Sequence, residues 1–260
     1  MATHAHDTAS HDASPQRPRR HFGTAKTAVM SFAAALVMAL PGMAAAQVAA
    51  LDVDTVLDNI AQAATDLQDA AFLLTGKLVD ADSTEIALEV DMMIVPGDSV
   101  ASAYIIQPDA LADNQIVLDG PAVYSYTFLT HQVTIFDSTD PDALGGLLPA
   151  GEDGASAQIS FDLGKVFEGY TATITDVSET DGGQLYTISF SNLDPDALIL
   201  DVVATVPSSD WLPRSLVFLE ADGRVLAELH AENLVIDQGL DVDMVRQLPD
   251  DAEVIDNRGR

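Results

Sequence analysis

The sequence lacks cysteine altogether and has few basic residues, with 11 lysines and arginines against 41 aspartates and glutamates among 260 residues. Without cysteine the chain has no disulfide and no thiolate metal ligand, so a packed apolar core has to hold the fold. With so few bases it has no basic stripe for nucleic acid, and its acidic excess repels nucleic acid and anionic lipid headgroups. The composition therefore excludes a disulfide scaffold and a nucleic-acid-binding protein.

The motifs of common enzymes and metal sites are missing as well. Only two histidines, His131 and His230, follow residues 1–46, and neither belongs to a His-Glu-x-x-His zinc motif. The chain has no Gly-x-Ser-x-Gly elbow, no glycine-rich phosphate loop and no evident glycosidase pair, and its Asp-rich turns lack the EF-hand spacing. We predict that the protein is not an enzyme and has no catalytic residue, no metal site and no cofactor.

The first 46 residues form a leader unlike the rest of the chain. Its bases, apolar run and small residues come in the order of a secretory signal: Arg17, Arg19, Arg20 and Lys26, then Ala28–Leu40, then Ala44–Ala46. This order predicts a signal peptide cleaved after Ala46. An uncleaved membrane anchor is the alternative, but the apolar run is short for a span of about 20 residues. Gly23 stands where the twin-arginine signal has leucine, which favours the general secretory route.

Residues 47–260 are then expected to form one soluble, monomeric, extracytoplasmic domain with 39 acids, seven bases and a net charge of −32. This charge is interpreted either as a means of solubility, including adaptation to salt, or as steering toward a basic partner. A hydrophobic content of 48% and clear strand patterning argue against disorder.

Hydrophobic periodicity predicts one helix followed by a long run of strands. Apolar residues at helical spacing predict a helix over Val53–Leu74 with Asp54 as its N-cap. Alternation between turn signals predicts about eleven strands and a short last one: Phe72–Val79, Ile86–Val95, Val100–Gln107, Gln115–Leu118, Ala122–Leu129, Gln132–Phe136, Tyr170–Val177, Leu185–Ser191, Ile199–Val206, Pro213–Glu220, Val225–Ile236 and Glu253–Ile255. Short helices are predicted at Pro141–Leu147, Phe161–Phe167 and Val242–Gln247. Because hairpins follow one another, we predict an α+β fold with a single curved antiparallel sheet in one meander, covered by helices.

An aromatic row stands out in this pattern. Tyr124, Tyr126 and Phe128 alternate along one predicted strand, so all three should lie on one face of the sheet. Many other apolar residues also alternate on predicted strands, which gives the sheet one apolar face. That face either packs the helices onto the sheet or lines a cavity for an apolar ligand.

A set of short motifs resembles one known family. In chain order these are Gln107-Pro108, Ile116-Val117-Leu118-Asp119-Gly120, Val123-Tyr124-Ser125-Tyr126, Gln132-Val133, Pro213, Asp222-Gly223, Asn233 and Leu248-Pro249-Asp250. Together they resemble the periplasmic outer-membrane lipoprotein carriers, the LolA-like family, over about Val53 to Ile255. The resemblance implies an incomplete β-barrel whose lid covers a hydrophobic cavity for acyl chains.

The resemblance also implies a site and partners. The cavity wall would comprise Met92, Ile94, Tyr104, Ile106, Tyr124, Tyr126, Phe128 and Phe190, and the lid would comprise Val56, Ile60, Leu67, Leu144, Leu147, Phe161 and Phe167. The implied partners are lipoproteins or lipid acyl chains, an inner-membrane release complex and an outer-membrane acceptor. The same fold also occurs in periplasmic regulators, so a lipid- or lipoprotein-sensing binding protein is the alternative. One departure is Val95, which stands before Pro96 where family carriers often have an arginine that latches the lid.

Overall fold

The first described helix begins where the sequence predicts but ends eight residues earlier. The computed structural model describes residues 51–79, 83–140, 160–192, 194 and 199–259. Helix α1 is Val53–Asp66, and its N-cap is Asp52 rather than Asp54, since the Asp52 carboxylate accepts a hydrogen bond from the backbone N–H of Thr55 at 2.8 Å. Beyond Asp66 the chain turns extended because the apolar residues from Ala70 onward pair with strands on both sides. That long-range pairing overrides the helical spacing of the same residues.

Twelve strands, two further short α-helices and one 3-10 turn at Pro96–Asp98 follow in the described residues. The strands are β1 Ala70–Val79, β2 Glu85–Val95, β3 Val100–Gln107, β4 Gln115–Asp119, β5 Ala122–Thr127, β6 Gln132–Asp137, β7 Thr171–Thr180, β8 Gly183–Ser191, β9 Asp201–Pro207, β10 Ser215–Leu219, β11 Val225–Ile236 and β12 Glu253–Asp256. The short helices are α2 Leu163–Val166 and α3 Val242–Val245. The predicted helix Pro141–Leu147 and the predicted signal peptide lie outside the described residues. None of the described helices has the length and hydropathy needed to cross a bilayer.

All twelve strands form one sheet that does not close on itself. Its order is β12-β6-β5-β4-β3-β2-β1-β11-β10-β9-β8-β7, with β12 and β7 at the two edges. The predicted incomplete barrel is therefore confirmed, but the single meander is wrong. Two meanders, β1–β6 and β7–β11, meet where β1 pairs with β11. At that seam a side chain on Gly76 would lie 1.9 Å from the Glu228 carbonyl oxygen, so the close approach of the two strands requires glycine.

The inner face of the sheet, defined as the face that contacts α1 and α2, differs between two parts of the sheet. Over β7–β9, here called the filled half, Val56 and Ile60 of α1 are fully buried against Tyr186, Ile188 and Phe190. Over β1–β4 and β11, here called the hollow half, the inner face borders a cavity. Among the described residues, helices thus pack onto one half of the sheet, whereas the other half borders a cavity.

The chain that follows β11 covers part of the outer face, over β2, β3, β5 and β6. Val245 of α3 packs against Val95 and Val100. The Asp69 carboxylate, 4% exposed, accepts backbone hydrogen bonds from Gln238 at 3.0 Å and Gly239 at 2.8 Å, which fixes the start of this segment. The C-terminal segment is therefore part of the core and not an appendage.

Candidate ligand cavity

The cavity of the hollow half has a volume of about 310 Å³. Its walls are the inner face of β1–β4, β10 and β11, together with the segment 160–163 and the turn that enters β10. Volumes of about 300–1,000 Å³ are typical of small-molecule sites. The cavity therefore lies at the small end of the range for ligand-binding sites.

Small side chains on β3 account for the empty space. Ala101, Ala103 and Ile105 of β3 line the cavity. Ala103 lies between Met92 and Ile116 on the neighbouring strands. On β8 in the filled half the corresponding inward positions are Tyr186, Ile188 and Phe190. The alanines leave a gap that the helices do not fill.

An aromatic pair bridges the segment before α2 and the first strand. The rings of Phe161 and Phe72, both in the cavity wall, are 5.9 Å apart in an edge-to-face arrangement. Leu163 is buried beside them, and the Asp162 carboxylate caps α2 by accepting from the Lys165 N–H at 3.1 Å. One side of the cavity is therefore formed by the short loop before α2 and by the single turn of α2 itself.

Arg214 is the one charged side chain among the described residues that line the cavity. Its Nη1 donates to the Leu212 carbonyl at 2.9 Å and its Nη2 forms an ion pair with Asp210. The other polar residues in the described wall are Ser102, Ser160 and Ser215. The cavity therefore combines an apolar interior with a few polar groups, which is the usual arrangement of a site for an amphipathic ligand.

The predicted wall residues of β2 and β3 lie on both faces of the sheet. Met92 lines the cavity, and Ile94 lies on the same face, buried, without contributing to the wall. Tyr104 lies on the outer face, 39% exposed, and its hydroxyl donates to Asp113 at 2.5 Å. This hydrogen bond to a carboxylate raises the pKa of Tyr104. Ile106 falls at a bulge in the pairing of β2 with β3 and does not line the cavity.

The aromatic row of β5 is not in the cavity wall. Tyr124 and Tyr126 pair with Ile135 and Val133 on the outer face. There Tyr126 packs under the C-terminal segment, and its hydroxyl is 3.0 Å from Nδ1 of His131. Phe128 follows the end of β5 and is 56% exposed in the turn. The placement of this row in the cavity is wrong because the inner face of β4 and β5 carries the alternate residues, Ile116 and Leu118 among them.

The predicted lid residues divide between the two halves of the sheet. Phe161 lines the cavity, whereas Val56, Ile60 and Phe167 belong to the packed core of the filled half. The rings of Phe167 and Phe190 are 4.9 Å apart, so Phe190 is a core residue there as well. Leu67 packs with Ala70 and Leu212 between the halves. Leu144 and Leu147 lie outside the described residues.

Sequence reasoning missed the small wall residues and the arginine. It selected large side chains, and so it passed over Ala101, Ala103 and Arg214. Alternation continued from Met92 and Ile94 across the hairpin would have identified both alanines, because paired residues share a face. At the position where family carriers often have the latch arginine, this chain has Val95. Its side chain points to the outer face and packs beneath α3.

Comparisons with known proteins reveal similarity of fold. No family model matches the chain, and no curated protein matches it. An uncharacterized conserved protein from Thermus thermophilus matches with a TM-score of 0.54 at 15% identity, over 78% of this chain and 98% of that chain. MucB matches with a TM-score of 0.51 at 13% identity, over 78% of this chain and 64% of MucB. A LolA superfamily protein from Nitrosomonas europaea gives a TM-score of 0.38 at 12% identity, over 76% of this chain and 99% of that chain. The unclosed sheet with helices on its inner face is therefore a fold that this chain shares with the Thermus thermophilus protein and with MucB.

Proposed function

We propose that this protein is an extracytoplasmic carrier that holds the acyl chain of a lipoprotein, or of a similar amphiphile, in the cavity of the hollow half. The observation that carries the proposal is the cavity of about 310 Å³, whose described lining is apolar except for three serines and Arg214. No catalytic step is part of the proposed activity.

The energetics favour binding of a hydrocarbon chain. Each methylene removed from water contributes about 0.8 kcal/mol, so a chain of about ten buried methylenes gains several kcal/mol after the costs of binding. A volume near the lower limit for ligand sites holds one chain and not a bundle of chains. Met92, Phe161 and the two alanines of β3 are the proposed contacts.

The transport route is proposed from the sequence. The order of bases, apolar run and small residues in the leader supports export, and the LolA-like motifs support delivery of cargo toward the outer membrane. We propose an inner-membrane release complex and an outer-membrane acceptor as the partners of such a carrier.

Native mass spectrometry of the purified protein, followed by titration with a fluorescent fatty acid, tests the binding proposal. Bound lipid or a saturable titration at one site is the expected result. An empty protein that also fails to bind the fatty acid would sink the proposal.

A lipid-sensing regulatory protein is the second candidate. A sensor needs a protein-contact surface apart from its cavity, and the turn after β5 offers one, with Phe128 56% and Leu129 91% exposed. Photo-crosslinking in cells from position 129 distinguishes the two candidates. Capture of a signalling protein of the inner membrane supports the sensor, whereas capture of a lipoprotein release or acceptor protein supports the carrier.

A further inference from the structure

We propose that the ligand is an anionic amphiphile with one acyl chain, whose head group is bound by Arg214 while the chain occupies the cavity. This inference rests on the proposed function and, of the ligands named there, selects an amphiphile other than a lipoprotein. The shared chemistry of the head group is a carboxylate or a phosphate.

The distribution of charge carries the first step. Residues 47–260 contain 39 acids and only seven bases, yet the described wall of the cavity contains no carboxylate and one arginine. A cavity for a neutral lipid needs no charge at all. In a protein whose surface repels anions, a base in the wall gives an anionic ligand its local attraction.

The geometry of Arg214 carries the second step. The backbone of Arg214 is fixed between neighbouring strands, since its N–H donates to Thr205 at 2.8 Å and its carbonyl accepts from Ala231 at 2.8 Å. Asp210 and the Leu212 carbonyl each take one guanidinium N–H. Three of the five N–H donors therefore have no acceptor among the described residues, and a guanidinium held this way suits a carboxylate or phosphate.

Asp210 supports the guanidinium without belonging to the wall. Its Oδ1 accepts from the Leu212 N–H at 3.1 Å and its Oδ2 from Arg214. The carboxylate thus orients the arginine from outside the described lining and also lowers its net attraction for an anion. Removing that charge while keeping the acceptor is therefore expected to strengthen anion binding.

The chain offers a matched control pair. Arg224 pairs with Glu220 four residues before it, as Arg214 pairs with Asp210. The two arginine side chains are 30% and 34% exposed, and both acidic partners are 24% exposed. Arg224 does not line the cavity. Loss of either arginine removes one similar ion pair, but only Arg214 is expected to affect the head group.

The experiment measures the preference of the purified protein for a charged over a neutral head group at pH 8. One arm compares the fluorescent cis-parinaric acid with its methyl ester. A second arm displaces the probe with a lysophosphatidic acid or with the corresponding monoacylglycerol, which distinguishes phosphate from carboxylate. For whichever anion binds more tightly, the wild type should have an affinity about tenfold higher than for the neutral analogue of that anion. Arg214→Gln should abolish this preference, Asp210→Asn should increase it, and Arg224→Gln should leave it as in the wild type.

Folding of each variant is checked through Trp211, the one tryptophan of the chain, whose ring lies 5.4 Å from that of Tyr186. Equal binding of charged and neutral analogues by the wild type would overturn the head-group inference and leave the acyl-binding proposal standing. A preference that survives in folded Arg214→Gln, or falls equally in Arg224→Gln, would also overturn it. Failure to bind any of the four amphiphiles would overturn both proposals.

Discussion

The filled half and the hollow half of the sheet share one face, one alternation and one continuous ladder, yet within the described residues the filled half packs against α1 and α2 whereas the hollow half borders a cavity. In the filled half, large residues such as Tyr186 and Phe190 meet two helices and are almost fully buried. In the hollow half, alanines on β3 meet a cavity. The difference lies in side-chain volume and in the helical cover, while the backbone pairing is the same in kind. One half can thus supply the stability that lets the other half keep an unfilled apolar surface.

The largest expected effect is a loss of stability when an isoleucine is truncated in each half. Ile188 and Ile105 are 0% and 2% exposed, but only Ile105 lines the cavity. Ile188→Ala should lower the free energy of unfolding by about 4 kcal/mol and Ile105→Ala by about 2 kcal/mol, because Ile105 has fewer packing partners to lose. Urea denaturation measures both. Equal losses would contradict the division into a filled and a hollow half.

A larger side chain added to the same face should lower ligand affinity in the hollow half and stability in the filled half. Ala103→Phe places the ring in the cavity, so we expect acyl affinity to fall at least tenfold with stability changed by less than about 1 kcal/mol. Its control, Ala204→Phe, adds the same ring to a fully buried position of the filled half and should cost about 1–3 kcal/mol. Fatty-acid titration and urea denaturation of both variants make the test. If Ala103→Phe binds the fatty acid as tightly as the wild type does, the cavity is not the ligand site.

Removal of a tyrosine hydroxyl tests the assignment of the aromatic row to the outer face. Tyr126→Phe deletes the hydrogen bond to His131 and should lower stability by about 0.5–1.5 kcal/mol while leaving acyl affinity unchanged. Tyr186→Phe, which deletes a hydroxyl bonded to Gln184 at 2.6 Å in the filled half, is the control of similar size. A loss of acyl binding in Tyr126→Phe but not in Tyr186→Phe would show that Tyr126 contacts the ligand.

The smallest effect concerns the cap of α1, the helix over the filled half. Hydrogen bonds from the Thr55 backbone N–H, then from its side chain, lower the pKa of Asp52. A carboxyl group with a lowered pKa stabilises the folded state at pH values above its unfolded pKa of 3.8. This stabilisation is lost as the pH falls through the pKa of the folded state. Asp52→Asn keeps a capping side chain that does not titrate, so its stability should decline slightly less than that of the wild type between about pH 5 and pH 3. Denaturation midpoints at both pH values measure the difference, and identical declines would speak against the cap.

Local elements were largely predictable from the sequence. The bounds of β3 and β11 agree with prediction at both ends, and most other strands agree within a few residues. Turn residues such as Asp222-Gly223 and period-two alternation act within a few residues of each other, so they are visible in one sequence. Alternation likewise predicted one apolar face of the sheet, and the resemblance to the LolA-like family implied an unclosed sheet. The site was harder to predict. A row of large residues such as Tyr124 and Tyr126 indicates that the row is buried, but it does not indicate which segment of the chain packs on it.

The sequence by itself determined where strands begin and end, which residues alternate, and that neither cysteine nor a dense basic surface takes part. Tertiary structure alone decided that β1 pairs with β11, that Tyr126 lies under the C-terminal segment, and that Ala103 and Arg214 meet at one cavity. The physical reason is the range of the interactions. Alternation separates the two faces of a strand over two residues, whereas residues that cover each face come from far along the chain, as Ile60 does over Tyr186 and Val245 over Val100.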